Sequence, residues 1–447
     1  MTRHGTDDEY RDRTILVIGY GRTGVAVARH LLAAGGRVRV TDKRPLAELG
    51  APPADPRLEL RCGRESVDDL DGVSLVVPSP GVPVGGPLLG EAVRRGIPVR
   101  AEIEVAARAL TIPIVAVTGT NGKSTTTTLI GEMLRAGGER PFVGGNLGTP
   151  LVSAVGGRYS MAVAEVSSFQ LEWVETLKPR VAVLLNVTED HLDRYDGVDA
   201  YGATKLRLFA RQTAEDVAIL NGSDPWIRAH TGELRAATIW FGGGDHAALR
   251  ADTAAIRMRL DGREEMYPLG RVHLTGAHNR ENMMAAIAAA RAVGVAPAAV
   301  QEALDAFRGL PHRLELVRER DGVRWIDDSK GTNAGAVVMS LAGFERSVIL
   351  LAGGIDKGGD YGVLVEPVRR AVKRALVFGA SRDMLSRTLG GATDVEVVDT
   401  LAAAVRRAAA LAGPGDTVLL SPACASFDMF RDYADRGAQF QALVRAL

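Results

Sequence analysis

The sequence is poor in cysteine and aromatic residues, and it contains no long uncharged apolar segment. Its 447 residues include only two cysteines, Cys62 and Cys424, too few for a disulfide framework or a cysteine zinc cluster. No apolar run approaches the ~20 residues that a membrane-spanning helix needs. The opening residues MTRHGTDDEYRDR lack the apolar core of a signal peptide. We therefore expect a protein of the reducing cytoplasm without a membrane span.

An excess of charge of either sign is also missing. Lys+Arg and Asp+Glu both number 54, so the formal net charge is zero. This balance argues against an extended basic surface for nucleic acid, which is therefore not an expected partner. It remains compatible with small cationic clusters that bind phosphate groups.

The length of the chain predicts more than one domain, because 447 residues exceed what one ordinary core accommodates. Turn sequences interrupt the pattern at Thr111-Ile112-Pro113 and at Gly309-Leu310-Pro311-His312-Arg313. We predict three domains, at residues 1–110, 111–311 and 312–447.

The strongest local motif is the glycine turn Gly119-Thr120-Asn121-Gly122-Lys123-Ser124-Thr125, which follows an apolar run at 114–117. Backbone N–H groups at a strand–turn–helix junction favour an anion, Lys123 adds a cation, and the Ser124 hydroxyl suits Mg²⁺ beside a nucleotide phosphate. Val117 stands where the usual Walker spacing has glycine, which disfavours a motor ATPase, a GTPase or an ordinary kinase. The motif predicts ATP binding; the alternative is a glycine turn with a surface lysine.

A second glycine turn, Gly19-Tyr20-Gly21-Arg22-Thr23-Gly24, follows a predicted strand at 15–18. A further strand at 37–40 leads to Asp42, as in dinucleotide-binding units. Three interpretations stay open: an NAD site, a site for another nucleotide, and glycines that serve only tight packing of helix on strand.

The remaining sequence alternates strands with helices, which predicts α/β domains with parallel sheets. Further strands are predicted at 74–77, 114–117, 161–166, 181–186, 217–220, 238–241, 323–327, 348–351, 375–378, 395–398 and 417–420. Helices are predicted from the second glycine turn to about residue 34, and at 125–136, 198–211, 279–293 and 298–307.

Polar residues near predicted strand ends are candidates for chemistry, because ligands of open α/β sheets bind beyond those ends. Glu165 suits Mg²⁺ together with Ser124, and the alternative is an ordinary salt bridge. His191 lies in an acidic loop, where the alternative is a solvated surface. For Lys205 the local pattern favours a solvated lysine on an amphipathic helix. The loops DDSKGTN, GGIDKGG and SPACASFD follow three strands of the last segment and together suit a small anionic substrate.

Taken together, these motifs resemble one family, the Mur ligases. Nine of them occur in the family's order: GTNGKST, AEVSSFQLE, NVTEDHLDRY, YGATKLRLF, GAHNREN, LPHRLE, DDSKGTN, GGIDKGGDY and SPACASFDMFRDYADRG, with IGYGRTG and PSPGV before them. A DNPR-like motif, expected in the family members that add a diamino acid, is absent. Folate polyglutamate ligases have a similar phosphate loop without the other motifs.

The resemblance implies a fold and an activity. The expected fold is α/β with three domains: a Rossmann-like N-terminal domain for the UDP substrate, a central P-loop-type ATPase domain with a mostly parallel sheet, and a C-terminal Rossmann-like domain for the amino acid. The expected reaction is ATP-dependent addition of D-glutamate to UDP-N-acetylmuramoyl-L-alanine through an acyl phosphate, in cytoplasmic peptidoglycan precursor synthesis. The alternative is a related Mur-type or polyglutamate ligase that adds a different amino acid.

The resemblance also implies site residues. ATP is expected at Gly119, Thr120, Asn121, Gly122, Lys123, Ser124, Thr125, Asn279, Asn282, Arg313 and Asp328. The UDP substrate is expected at Arg22, Thr23, Asp42, Lys43, Arg44, Ser79 and Asn146. D-Glutamate is expected at Thr332, Lys357, Ser426 and Tyr433. Catalytic roles fall to Lys123, Glu165, His191, Lys205 and Lys330.

Two Mg²⁺ ions are the implied cofactors, with Ser124, Glu165, His191 and a CO₂-derived carbamate on Lys205 as ligands. His191 is also a candidate for the base that deprotonates the amine. The implied partners are the small-molecule substrates, and a monomer is expected. Two rival classes are an NAD-dependent dehydrogenase, which leaves the phosphate loop unexplained, and a regulatory nucleotide-binding protein without turnover.

Overall fold

The computed structural model describes residues 9–49, 52–192, 194–232, 234–260, 262–274, 276–356 and 359–447. The chain divides into two compact units. The first contains residues 1–187, 201–272 and 281–307, and the second contains residues 188–200, 273–280 and 308–447. No helix in the described ranges is both long and apolar enough to cross a bilayer.

The first sheet is a parallel sheet of four strands in the order β3-β2-β1-β4. Its strands are β1 (Thr14–Ile18), β2 (Arg37–Asp42), β3 (Leu58–Cys62) and β4 (Leu75–Pro78), and the accompanying helices are α1 (Arg22–Ala33), α2 (Pro87–Arg94) and α3 (Glu102–Ala109). Leu16 and Ile18 pack in one core with Leu88 and Leu89 of α2. The glycine turn follows the carboxyl end of β1, and ligands of open parallel α/β sheets bind beyond the carboxyl ends of the strands.

The second sheet has nine strands in the order β13-β12-β11-β10-β9-β8-β5-β7-β6. Its strands are β5 (Ile114–Thr118), β6 (Pro141–Gly145), β7 (Met161–Glu165), β8 (Val181–Leu184), β9 (Val217–Asn221), β10 (Ala237–Phe241), β11 (Leu249–Ala251), β12 (Ala255–Leu260) and β13 (Arg263–Pro268). The helices of this region are α4 (Lys123–Ala136), α5 (Ser168–Leu171), α6 (Val198–Leu206), α7 (Pro225–His230), α8 (Ala277–Ala292) and α9 (Pro297–Ala306). Strands β5 to β11 pair in parallel, whereas β12 and β13 pair antiparallel.

The third sheet has six strands in the order β14-β15-β19-β16-β17-β18. Its strands are β14 (Glu315–Arg320), β15 (Val323–Asp327), β16 (Val348–Gly353), β17 (Val372–Phe378), β18 (Asp394–Val397) and β19 (Thr417–Leu420), and its helices are α10 (Ala334–Leu341), α11 (Val365–Ala371), α12 (Arg382–Leu389), α13 (Leu401–Leu411) and α14 (Tyr433–Arg445). Two separate apolar cores cover its two faces, one with α10, α11 and α12 and the other with α13 and α14.

The predicted α/β class with mostly parallel sheets is confirmed, and several elements differ from expectation. The structure adds β3, β6, β11 and three antiparallel strands, β12, β13 and β14. The sequence of β6, Pro-Phe-Val-Gly-Gly, begins with proline and ends with two glycines. Because both residue types are rare inside strands, this segment does not indicate a strand from its sequence. The helix expected to reach residue 211 ends at Leu206 and continues as a 3-10 turn over Arg207–Phe209.

Candidate active site

The first glycine turn, at residues 119–125, is called the phosphate loop below, and it joins the end of β5 to the start of α4. Gly119 has φ +146° and Gly122 has φ +88°, both in the region that favours glycine. A Cβ atom on Gly122 would lie 2.2 Å from Asn282 Oδ1, so a side chain has no room there. Asn186 holds the turn: its Oδ1 accepts from Asn121 N at 2.8 Å, and its Nδ2 donates to Asn121 O at 3.1 Å. The turn is therefore fixed by a residue beyond β8.

The predicted metal-binding residues Ser124 and Glu165 meet in the first unit. Ser124 Oγ donates to Glu165 Oε2 at 2.6 Å, and Asn146 Nδ2 donates to Glu165 Oε1 at 2.9 Å. Glu165 ends β7 and is 4% exposed. A buried carboxylate beside a hydroxyl provides the hard oxygen donors that Mg²⁺ prefers, so these two residues fit such an ion.

Two lysines converge on the carbonyl of Gly119. Lys123 Nζ donates to the carbonyls of Gly119 and Thr120, both at 2.9 Å. Lys205 Nζ donates to Gly119 O at 3.0 Å and lies 4.1 Å from the ring centroid of Tyr201. Lys205 is only 1% exposed, so the solvated lysine that the local sequence pattern favours is wrong.

The residues expected for the UDP substrate surround the second glycine turn. Asp42 accepts hydrogen bonds from Tyr20 N at 2.7 Å and from Arg44 Nη2 at 2.8 Å. Burial by itself would raise the pKa of Asp42, but the hydrogen bonds from Arg44 and Tyr20 N outweigh it and lower that pKa to about 2. Lys43 pairs with Glu65 at 3.2 Å. Asp42 is thus an ionised acceptor at neutral pH.

The edge of this turn carries a cavity of about 350 Å³, lined by Gly19, Asp42, Lys43, Arg44 and apolar residues that include Val82 and Leu89. Ser79 Oγ donates to Gly19 O at 3.2 Å. Thr23 is half-buried in the first turn of α1. Arg22, the first residue of that helix, donates from Nη1 to Gly148 O at 2.9 Å. This bond connects the first sheet's glycine turn to the loop that carries Asn146.

In the second unit, Asp328 and Lys330 lie in the loop after β15. Asp328 Oδ2 accepts from Ser421 Oγ at 2.6 Å and from Ser340 Oγ at 2.7 Å. Burial raises the pKa of Asp328 to about 6, although hydrogen bonds from the two serines and the charge of Arg313 oppose that rise. Lys330 Nζ donates to Tyr433 OH at 3.2 Å.

The residues expected for D-glutamate are distributed around the same end of the third sheet. Thr332 is half-buried, Ser426 is buried, and Tyr433 begins α14. Tyr433 O accepts from Ser329 Oγ at 2.8 Å, in the loop that also carries Lys330. Lys357 lies outside the described residues.

His191 adopts φ +57°, which is unusual for a residue with a Cβ atom. Its backbone N donates to Asp190 Oδ1 at 3.0 Å, and Asn333 Nδ2 donates to Asp190 Oδ2 at 3.2 Å. The segment 188–200 belongs to the second unit. Asp190 therefore positions the backbone of His191, and Asn333, at the start of α10, holds Asp190 in turn.

The predicted asparagines Asn279 and Asn282 lie near the start of α8, and both are buried. Thr126 Oγ1, in the first turn of α4, donates to Asn282 Oδ1 at 3.4 Å. Next to Asn279, burial and the charges of Arg313 and Arg280 lower the pKa of His278 to about 4. His278 is therefore neutral at pH 7.

Two further residues, without a role predicted from the sequence, organise these loops. One is Asn186, described above. The other is Arg436 in α14, which is fully buried and donates to Ser329 O at 2.9 Å, to Gly353 O at 3.2 Å and to Cys424 O at 3.2 Å. Both lie inside motifs used for the resemblance, but short-range patterns do not reveal such distant carbonyl partners.

A strand, a glycine turn and a helix beside a buried hydroxyl–carboxylate pair define a phosphate-binding α/β protein of the P-loop type. Within that class, this chain belongs to the Mur ligase family. Family models match as follows: the MurD-like N-terminal domain at residues 13–101, the Mur ligase middle domain at residues 117–290 and the Mur ligase glutamate ligase domain at residues 312–424.

Relatives that match along nearly the full length of the chain share one name. The chain is 46% identical over 448 residues to UDP-N-acetylmuramoylalanine–D-glutamate ligase of Geobacter metallireducens, and 47% identical over 456 residues to the protein of that name from Anaeromyxobacter dehalogenans. Both alignments cover 98% of this chain and 98% of the relative.

Solved structures of the family share the fold. UDP-N-acetylmuramate–alanine ligase of Thermotoga maritima superposes with a TM-score of 0.62 at 19% identity, covering 97% of this chain and 99% of that one. MurF of Thermotoga maritima, solved in complex with ADP, gives a TM-score of 0.60 at 18% identity, covering 99% of this chain and 97% of that one.

Proposed function

We propose that this chain joins D-glutamate to UDP-N-acetylmuramoyl-L-alanine in an ATP-dependent reaction of peptidoglycan precursor synthesis in the cytoplasm. The observation that carries the proposal is identity of 46–47% over 98% of the chain to ligases of that name. The glycine loop with Lys123, Ser124 and Glu165 supports it, because that group suits a nucleotide phosphate and its metal ion.

The proposed chemistry follows from the inertness of a carboxylate toward an amine. A carboxylate oxygen of the UDP substrate attacks the γ-phosphorus of ATP, the bond to the bridging oxygen breaks, and ADP leaves with that electron pair. The D-glutamate nitrogen then attacks the acyl carbon, its proton passes to a base, and phosphate leaves. His191 is our candidate for that base.

The first of these steps brings two anions together. Two unit charges 4 Å apart repel by about 1 kcal/mol in water and by about 4 kcal/mol at an effective dielectric constant of ~20. We assign Lys123 and Lys330 to offset this repulsion. Mg²⁺, when bound, would supply further positive charge, with Ser124 and Glu165 as ligands of one ion and His191 of a second.

We assign Asn279, Asn282, Arg313 and Asp328 to ATP, together with the phosphate loop. Arg22, Thr23, Asp42, Lys43, Arg44, Ser79 and Asn146 are assigned to the UDP substrate. Thr332, Lys357, Ser426 and Tyr433 are assigned to D-glutamate. Together with the domain boundaries at 110/111 and 311/312, these assignments are proposals.

We further propose that Lys205 carries a carbamate. The lone pair of its neutral amine attacks the carbon of CO₂, an N–C bond forms, one C=O electron pair moves to oxygen, and a proton leaves the nitrogen for solvent. The product is an anion that can face a metal ion. The position of Lys205 supports this proposal, because its Nζ lies 3.0 Å from Gly119 O, in the loop that also carries the metal-ligand candidate Ser124.

The activity is tested by phosphate release from purified protein with ATP, Mg²⁺, UDP-N-acetylmuramoyl-L-alanine and one amino acid at a time. D-Glutamate should support turnover, whereas L-glutamate, L-alanine and diamino acids should not. Phosphate release that is independent of D-glutamate would contradict the proposal. Turnover with another amino acid alone would indicate the related ligase of different specificity.

A further inference from the structure

The loop from Asn146 to Val152 is attached to three different elements of the first unit. At its start, Asn146 N donates to Glu165 O at 2.8 Å, at the end of β7. In its middle, Gly148 O accepts from Arg22 of α1. At its end, Val152 N donates to Glu102 Oε1 at 2.6 Å. Residues at the first two attachments belong to the proposed site, whereas Glu102 has no assigned role.

Glu102 is the first residue of α3 and is 1% exposed. Among the described residues, its Oε2 atom is buried without a hydrogen-bond partner. A buried carboxyl group at this position costs free energy of folding, because it loses its hydration and an apolar side chain of similar volume would not. The contact with Val152 N is the specific interaction that the carboxyl group provides.

Glu102 also lies near the turn that follows β7. The Gln170 side chain is close enough to the Glu102 carboxyl group to oppose the rise of its pKa, and Gln170 Oε1 accepts from Ser167 N at 3.0 Å. Ser167 lies two residues after Glu165. Glu102 thus hydrogen-bonds the loop that contains Asn146 and lies beside Gln170, which holds the turn that contains Ser167.

We propose that Glu102 is a positioning residue for the sugar-nucleotide substrate: its carboxyl group fixes the loop Asn146–Val152 and thereby sets the position of Asn146. This inference rests on the proposed function, because it takes Asn146 as a contact of that substrate. Small displacements of positioning groups are costly because binding depends on their geometry.

The required property of Glu102 is a hydrogen-bond acceptor rather than a negative charge. Burial raises the pKa of Glu102 to about 7, against the opposing effects of the hydrogen bond from Val152 N and of the nearby polar groups of Gln170 and Leu151. A group that titrates near neutrality spends part of its time uncharged, and its contact with Val152 N needs only a carbonyl-type oxygen. Glutamine at this position should therefore replace it.

Three variants of the full-length protein test this role: Glu102→Met, which keeps the volume without an acceptor, Glu102→Asp, which retracts the acceptor by one methylene, and Glu102→Gln. The dissociation constant for UDP-N-acetylmuramoyl-L-alanine is measured by calorimetry without ATP, and KM values are measured for all three substrates. We expect that constant to rise about tenfold in Glu102→Met and less in Glu102→Asp. Glu102→Gln should stay within about twofold of the parent protein.

The KM values for ATP and D-glutamate should change by less than about twofold in every variant. Equal losses for all substrates, or unchanged binding in both Glu102→Met and Glu102→Asp, would overturn the inference. If Glu102→Met does not fold, the comparison of Glu102→Asp with Glu102→Gln decides, since both keep a polar side chain. A parent protein that does not bind the sugar nucleotide would instead contradict the proposed function.

Discussion

Ser124 Oγ donates a 2.6 Å hydrogen bond to Glu165 Oε2, joining the first turn of α4 to the end of β7 across 41 residues of sequence. The pairing of β5 with β7 produces this contact, because Val117 and Glu165 are partners in the register of the sheet. The hydroxyl that follows the phosphate-loop lysine is thereby brought to a buried carboxylate.

The first prediction concerns that carboxylate. Glu165→Gln should lower kcat by about 10²–10³-fold, because a neutral amide is a poor ligand for a divalent cation. The Mg²⁺ concentration that gives half-maximal rate should rise. Phosphate release measured against Mg²⁺ concentration checks both results.

Glu132→Gln, an exposed acid on α4 paired with Arg135, is the matched control and should retain the parent rate. A Glu165→Gln variant with parent-like activity and Mg²⁺ dependence would remove Glu165 from the metal site.

The second prediction concerns Lys205. Lys205→Ala should lose at least about 10²-fold in kcat, because the variant has no amine to form the proposed carbamate. Added formate or acetate should restore part of the rate by supplying a carboxylate in the space left by the side chain. Lys178→Ala removes a partly exposed lysine paired with Asp216 and should leave the rate unchanged. Full activity of Lys205→Ala without additives would exclude the role.

The third prediction concerns the pH dependence of stability. Folding raises the pKa of Asp328 from its ordinary value of 3.8 to about 6. A raised carboxyl pKa contributes stability that is complete below the unfolded value and is lost as the pH rises through about 6. Asp328→Asn keeps an acceptor for Ser340 and Ser421 and does not ionise.

The free energy of unfolding of Asp328→Asn, relative to the parent, should therefore increase by up to about 3 kcal/mol between pH 4 and pH 8. Denaturant titrations at several pH values measure this difference. A difference that is constant with pH would show that Asp328 does not titrate in this range.

The fourth prediction concerns Arg436. Burial lowers the pKa of this guanidinium to about 10, so it stays charged at neutral pH. Arg436→Lys should destabilise the protein by about 2–4 kcal/mol, because an ammonium cannot reach the dispersed carbonyls of Ser329, Gly353 and Cys424 together. Arg431→Lys, at a side chain that is 86% exposed, should change stability by less than about 0.5 kcal/mol. Equal effects of the two substitutions would contradict the structural role of Arg436.

Much of the fold could be predicted because its signals are local. The strands at 323–327 and 417–420 have the bounds expected from their apolar runs. The antiparallel strands β12 and β13 were missed, because they read Ala-Ile-Arg-Met-Arg-Leu and Arg-Glu-Glu-Met-Tyr-Pro, where charges obscure the apolar pattern. Their pairing with each other gives them their stability, and a single strand carries no sign of its partner.

The candidate site was less accessible to sequence reasoning without a family resemblance. Lys205 reads as a surface residue in its own helix, yet it is buried against Gly119, 86 residues earlier. Glu102 and Arg436 likewise act on backbone groups far along the chain, and nothing in their local sequence predicts those partners.

The sequence by itself determined the α/β class and the phosphate loop, because strand periodicity and the glycine turn depend on interactions over a few residues. Only the tertiary structure decided that Ser124 and Asn146 meet at Glu165, that Lys205 contacts the loop carbonyl, and that Glu102 holds Val152. These contacts depend on the order and register in which strands pair. The order and register that form are those that bury the apolar surface of the whole sheet, so they cannot be deduced from any one segment.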